Sequence, residues 1–266
     1  MPTGRLILVP NTLDFGVSTD GDVQDVLPLG ALRTAARLTH WVAENAKTTR
    51  AFLKRVDAIV PLGQPLQSLS IVELPRPQKG GRAPAAGTDL KPLLQPALDG
   101  HDVGLISEAG LPAIADPGAA LVQAAHALGI AVLPLSGPSS LLLALGASGL
   151  NGQSFAFVGY LPVDAGERAA RIRDLEALSK RAGQTQLMIE TPYRNEALLA
   201  ALVNGLKGDT WLSVSSGLTL ASGWTWSAPV SQWRAMPRPV PNDVPAVFSL
   251  LASAAPQVTP GGGPKR

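Results

Sequence analysis

Short apolar runs alternate with helical periodicities along the first part of the chain. Arg5–Val9 is an apolar run stopped by Pro10, and runs of that length bounded by turn residues read as strands. From Ala31 to Val56 the chain is rich in Ala, Leu, Arg and Lys, and propensity alone would give one long helix. The β-prone cluster Thr39, His40, Trp41 and Val42 splits it into helix, short strand and helix, with Glu44–Thr49 as a connecting loop. Leu69–Leu74 reads as a strand, and Asp89 caps a helix running to Leu98. Val103–Ile106 is a strand, Ala119–Leu128 has helical spacing with Gly129 at the C′ position, and Ile130–Leu135 is again β-branched. A further helix starts near Ser139 and ends around 146–152.

The second half reads as Ser154–Tyr160 strand, a charged helix from Ala165 to Arg181 followed by Gly183, Thr185–Glu190 strand, and Glu196–Leu206 helix. Thr210–Ser215, Trp224–Trp226 and Ala246–Leu251 are strands, with Val230–Arg234 helical. The pattern is α/β. It predicts an N-terminal domain over 1–148, a C-terminal domain over 149–254 after a Gly/Asn-rich boundary, and a Pro/Gly-rich, disordered tail over 255–266. Residues 75–88 carry Arg76, Lys79 and Arg82 but no large apolar side chain, so they read as a mobile loop. In a parallel sheet, ligands bind outside the carboxyl ends of the strands. Ser107–Gly118 and Ser136–Ser140 are expected to emerge there side by side.

Composition narrows the class. The chain has 266 residues, 45% hydrophobic and 16% charged, with a net charge of +2. It has no cysteine, which excludes disulfides, thiolate nucleophiles and Cys-based metal sites. The first residues lack a signal-peptide core, and the longest apolar run, near Leu141–Ala147, is far below the ~20 residues of a membrane helix. A cytoplasmic protein with no membrane partner is expected.

Candidate chemistry concentrates in three strings. In SEAGLPAIADPG, Gly110 and Gly118 allow backbone shapes closed to other residues while Pro112 and Pro117 fix the path. The segment is either a ligand-facing loop or an ordinary βα loop whose Asp116 caps the next helix. In LSGPSS, Gly137 permits close backbone approach, and Ser139 or Ser140 can cap a helix start suited to an anion. IETPYRN sets Glu190, Tyr193 and Arg194 at a strand end, and the bland alternative is a solvent-exposed Glu–Arg pair of little energetic weight. Glu44, Lys47 and Arg50 form a charged cluster of the kind that is usually solvated surface. His40, His101 and His126 lack helical partners, so no metal site is expected. No nucleophile-elbow, Walker A or G-x-G-x-x-G string occurs. Trp224, Trp226 and Trp233 read as core or interface rather than as base-stacking platforms.

Taken in order, ISEAGLPAIADPG, PLSGPSS, FVGYLP and IETPYR resemble the tetrapyrrole (corrin/porphyrin) methylase superfamily. The similarity is greatest to its ribosomal small-subunit RNA 2′-O-methyltransferase I branch, with weaker matches at LILVP and VAEN. The resemblance implies a two-domain α/β tetrapyrrole-methylase-like fold, with a mainly parallel N-terminal sheet and a mixed C-terminal one. It implies a homodimer that binds S-adenosyl-L-methionine in the cleft between its halves. By position, Gly110, Leu111 and Ile114 would approach this methyl donor through backbone atoms, flanked by Pro10, Ser107, Glu108, Ala109, Ser136 and Gly137. Ser139 and Ser140 would lie near it, Met188, Glu190 and Thr191 would close it from the second domain, and Thr219 and Pro245 fall near further donor-contacting segments.

Differences from that branch cluster on the acceptor side. T-P-I-G-N-L is replaced by Asn11, Thr12, Leu13, Asp14, Phe15 and Gly16; Asn45 and Ala46 stand in A-E-D-T-R; and Ser216–Leu220 replaces R-E-L-T-K. The expected function is methyl transfer from S-adenosylmethionine to an acceptor left open, with RNA as one candidate. A hydroxyl acceptor would need a general base, for which Glu108, Asp116, Glu190 and Glu44 are candidates, and Arg194 is a further candidate catalytic group. The alternatives are a non-catalytic donor-binding paralogue and a tetrapyrrole-ring methylase.

Overall fold

The computed structural model describes residues 2–14, 22–75 and 89–252. The loop expected over 75–88, with Arg76, Lys79 and Arg82, lies outside the described residues from 76 onward, as do Phe15, Gly16 and the tail after Ala252. The described chain divides into two compact units, Met1–Ser139 and Ser140–Arg266. The boundary expected at 148 thus falls earlier.

The first unit is built on β1 (Arg5–Leu8), β2 (His40–Ala43), β3 (Ser70–Glu73), β4 (Val103–Ile106) and β5 (Ala131–Pro134), in the order β3-β2-β4-β1-β5. Every pairing is parallel. The split of 31–56 occurs as expected: α1 (Leu29–Arg37) precedes β2 and α2 (Ala46–Asp57) follows it. The loop between β2 and α2 is shorter than predicted, because the Asn45 side chain caps the helix by accepting from the Lys47 and Thr48 amides. Asp89 accepts from the Lys91 amide at the start of α3 (Lys91–Leu98). Helix α4 (Ala119–Ala127) connects β4 to β5, but these strands are not neighbours, since β1 lies between them and pairs with both.

Alternation along the strands explains the layering. Ile7, Val9, Trp41, Ala43 and Ile106 face α1 and α2 in one core cluster, whereas Leu6, Val42, Val103 and Leu105 face α3 and α4 in another. The connection leaving β4 therefore turns to the opposite face from those leaving β1 and β2. Such a reversal between adjacent parallel strands opens a crevice at their carboxyl ends.

In the second unit, β6 (Phe155–Phe157), β7 (Thr185–Ile189), β8 (Trp211–Ser216), β9 (Trp224–Pro229) and β10 (Ala246–Leu251) take the order β6-β7-β10-β8-β9. Only β6 and β7 pair in parallel, so the sheet is mixed. Helices α6 (Ala165–Ala182), α7 (Asn195–Gly205) and α8 (Val230–Ala235) share one core with Met188, Val214 and Phe248. Helix α5 (Ser140–Ser148), assigned from sequence to the N-terminal domain, packs Leu141, Ala144 and Leu145 against Leu187 and Val247. That packing moves the boundary to 139/140. Trp233 is buried, its indole N–H donating to the Leu212 carbonyl at 2.9 Å, in keeping with a core role.

Gly104 in β4 is set by Trp41. A Cβ there would stand 2.8 Å from the indole Cε3 and 2.9 Å from Leu38 Cδ1. Trp41 is 1% exposed and has no room to yield. Overpacking of this kind costs about 1–3 kcal/mol, so Gly104→Ala is expected to lose that much in urea unfolding, with an unchanged m-value.

Candidate functional site

The loops leaving β1 and β4 are tied to each other by peptide hydrogen bonds. The Asn11 N–H donates to the Gly110 carbonyl at 2.8 Å, and the Gly110 N–H donates to the Thr12 carbonyl at 3.2 Å. The Asn11 side chain donates to the Ser107 and Glu108 carbonyls at 3.1 and 3.0 Å and accepts from the Thr12 amide at 2.9 Å. Asn11, Thr12 and Asp14 are all buried. Thr12 Oγ1 donates to Asp14 Oδ1 at 2.6 Å, and the Arg55 guanidinium of α2 reaches Asp14 Oδ2 at 3.0 Å. Sequence reading passed over Asn11, Thr12, Asp14 and Arg55 as bracing residues. The available signal was a polar cluster immediately after a strand and a proline.

The loop after β5 joins the same assembly. A Cβ on Gly137 would lie 2.1 Å from Pro10 Cβ, and one on Gly110 would lie 3.7 Å from the Pro138 carbonyl oxygen. Absence of a side chain at 137 is thus what allows the β5 and β1 loops to touch. Within the β4 loop, Gly110 (φ 64°) and Gly118 (φ 131°) adopt the conformations expected of them, and Ala113 and Ala115 also sit at φ 66°. Left-handed alanines cost roughly 1–2 kcal/mol each, and such strain persists only where surrounding structure imposes it. Leu111, Pro112, Ala113 and Ile114 line an apolar cavity of about 340 Å³ with Leu8, Ala119, Val122, Pro134 and Leu135.

Three carboxylates gather on the other side of β4. Glu44, at the end of β2, accepts from the Glu108 amide at 3.0 Å, and its carboxyl is pushed up by burial, partly offset by that hydrogen bond, and by the charge of Glu108. Asp116 is pushed up to about 7, mainly by burial, then by the Glu44 charge, with a Ser107 hydrogen bond pulling the other way and Glu108 adding repulsion. Asp116 does not cap α4: the capping position is Gly118, and no side chain accepts there. The helix-capping role expected of Asp116 in an ordinary loop therefore does not hold. Among the described residues no cation pairs with any of the three acids, and no three acid or His side chains are arranged to hold a metal ion. Ser107 is buried, its hydroxyl donating to the Ala109 carbonyl at 3.1 Å, whereas Ser136 is exposed.

The remaining candidates lie at one edge of the second unit's sheet. Val247 is paired with Ile189, and Ala246 with Ser216, so Thr191, Thr219 and Pro245 follow or precede adjacent strand ends. The Gly217 amide donates to the Pro245 carbonyl at 3.0 Å, and Thr219 is held at φ 70°. Asn195, also passed over, donates to the Pro241 and Val244 carbonyls at 2.9 and 2.8 Å. Glu190 and Arg194 pair at 3.2 Å with side chains only 3% and 19% exposed, so the solvent-exposed alternative does not hold. Glu190 also accepts from the Thr191 amide and hydroxyl. Met188 is buried in the core, which removes its side chain from this edge, and Tyr193 is 72% exposed. Ser139 closes the first unit and Ser140 opens α5.

Asp116 gives a pH signature. Its raised pKa means that between about 4 and about 7 the unfolded chain has released a proton that the folded chain retains. Stability contributed by the neutral carboxyl is complete below the unfolded pKa and is lost as pH rises to about 7. Asp116→Asn, which keeps the neutral shape, is expected to melt with wild type at pH 4 and above it at pH 8; equal Tm values at both pH values would contradict this.

No protein-family model matches the chain. It is similar to the ribosomal RNA small subunit methyltransferase I of Mesorhizobium japonicum, 42% identical over 129 residues covering 48% of this chain and 42% of that protein. It is also similar to the protein of that name from Halalkalibacterium halodurans, 32% identical over 183 residues, 69% of this chain and 56% of the relative. The chain thus spans about half the length of these relatives. Among solved structures, uroporphyrin-III-C-methyltransferase from Thermus thermophilus shares the fold, with a TM-score of 0.50, 18% identity, and coverage of 94% of this chain and 92% of that one. The sequence similarity is thus to ribosomal RNA small subunit methyltransferase I proteins over part of their length, and the solved structure shares the fold alone.

Proposed function

We propose that the protein is an S-adenosyl-L-methionine-dependent methyltransferase and that its acceptor is RNA, with ribosomal RNA the first candidate. The observation that carries the reading is the carboxyl edge of the first unit's sheet, where three loops lock together around left-handed backbone beside three uncompensated carboxylates. The residues fit such a donor. Its ammonium and sulfonium charges match acids that have no cationic partner among the described residues, and the apolar cavity beside Leu111 and Ile114 suits a flat heterocycle. Backbone groups of Gly110 and Leu111, with Glu108, would hold it. When bound, S-adenosylmethionine supplies an electrophilic methyl group.

The chain's own part is positioning, exclusion of water and proton handling. Alignment of reactants can lower a barrier by ~7–11 kcal/mol, and the braced loops provide a rigid frame for it. For a hydroxyl acceptor, ionised Asp116 takes up the proton released as the oxygen is methylated. A pKa of about 7 leaves a large share of the group ionised near neutrality while keeping it basic enough to act. The homodimer implied by the resemblance and the cytoplasmic setting expected from composition belong to the same proposal; no described helix is long and apolar enough to cross a membrane.

Purified protein given methyl-labelled donor and small ribosomal subunits is expected to transfer label to RNA. Asp116→Asn should lower turnover by about 10²- to 10⁴-fold, and Gly137→Val, which drives a side chain into Pro10, should weaken donor binding in calorimetry. Donor binding without any labelling would favour the non-catalytic paralogue, and no binding at millimolar donor would overturn the proposal.

A further inference from the structure

Helices α1 and α2 form one layer over the first unit's sheet, and their outward faces are basic. Leu32, Ala35 and Ala36 of α1 and Phe52, Leu53 and Val56 of α2 face the core. Arg33, Arg37, Lys47, Arg50 and Lys54 are exposed on the other side. The only acid within the two helices is Asp57, at the end of α2, where it accepts from the Leu62 amide at 2.9 Å. Arg55 is excluded from the set because it braces Asp14. The opposite layer has no such bias: α3 carries Lys91 and α4 carries His126, and neither helix contains an acid.

The row on α2 is ordered. Arg50 and Lys54 follow Lys47 by three and seven residues, which sets them along one helix face at roughly 4.5 and 10.5 Å from it. The helix begins two residues after Glu44, so the row starts beside the carboxylate cluster and leads away from it. Arg33 and Arg37 are four residues apart on the neighbouring helix and lie on one face.

We propose that this α1–α2 face is the track for the RNA backbone, with Lys47, Arg50 and Lys54 contacting successive phosphates as the strand leaves the carboxyl edge. The assignment rests on the methyltransferase reading above for the choice of RNA as the polyanion. Only Leu29 is an exposed large apolar residue in these helices, which gives a lipid surface little to insert. Neither helix presents an exposed aromatic ring for base stacking, so the contacts are to phosphates and independent of base sequence.

Anisotropy with a short unstructured RNA, measured over a series of salt concentrations, tests the track. The triple variant Lys47→Ala/Arg50→Ala/Lys54→Ala should bind more weakly at every salt. Its log K against log salt should be shallower by roughly 0.7 for each lost phosphate contact. Lys91→Ala, on the opposite layer, should match wild type, and donor binding by the triple variant should be unchanged. Unaltered affinity and slope in the triple variant would overturn the track, as would tighter binding to phosphatidylserine vesicles than to RNA. Failure of the wild type to bind donor would instead remove the methyltransferase reading, which separates the two.

Discussion

The backbone pairing of Asn11 with Gly110 is the constraint on which the candidate site depends. Neither residue lies in a regular strand, yet their amides and carbonyls tie the two loops together past the end of the β1–β4 ladder, a short extension outside its register. Because the connections of β1 and β4 then diverge to opposite faces, this short extension forms the floor of a crevice. Asn11 completes it by satisfying two carbonyls of the β4 loop that would otherwise be left without donors in a buried setting. The Pro10–Gly137 contact adds the β5 loop to the same frame.

Rigid framing has an electrostatic counterpart. Glu44 is held by the Glu108 amide, and its charge, after burial, makes ionisation of Asp116 harder. Together with alanines held at positive φ, the arrangement stores unfavourable energy in one loop. Local strain and uncompensated charge at a strand-end crevice are features that functional sites retain and scaffolds remove. In the second unit the corresponding charges are neutralised, since Glu190 and Arg194 pair with each other.

Much of this was legible in the sequence because the signals were local. Alternation placed the strands, the β-prone cluster at 39–42 divided α1 from α2, and Gly129 and Gly183 ended their helices at positive φ. Strand order was not legible: the β4–α4–β5 pattern fixes parallel direction, but nothing local says that β1 inserts between its ends. Asp116 illustrates the same limit, because a carboxylate before a helix looks like a cap until Gly118 is found to hold that position. Packing of α5 on Leu187 and Val247 likewise depends on residues more than 40 positions away. The left-handed Ala113 and Ala115 carry no sequence mark at all.

Hydrogen–deuterium exchange with and without S-adenosylhomocysteine, the demethylated product, tests the central claim most directly. Ligand contact at the first unit's carboxyl edge predicts slowed exchange in peptides covering 10–14, 107–118 and 136–139, with α3 unchanged. Protection absent from all three loops, or confined to segments elsewhere in the chain, would contradict it.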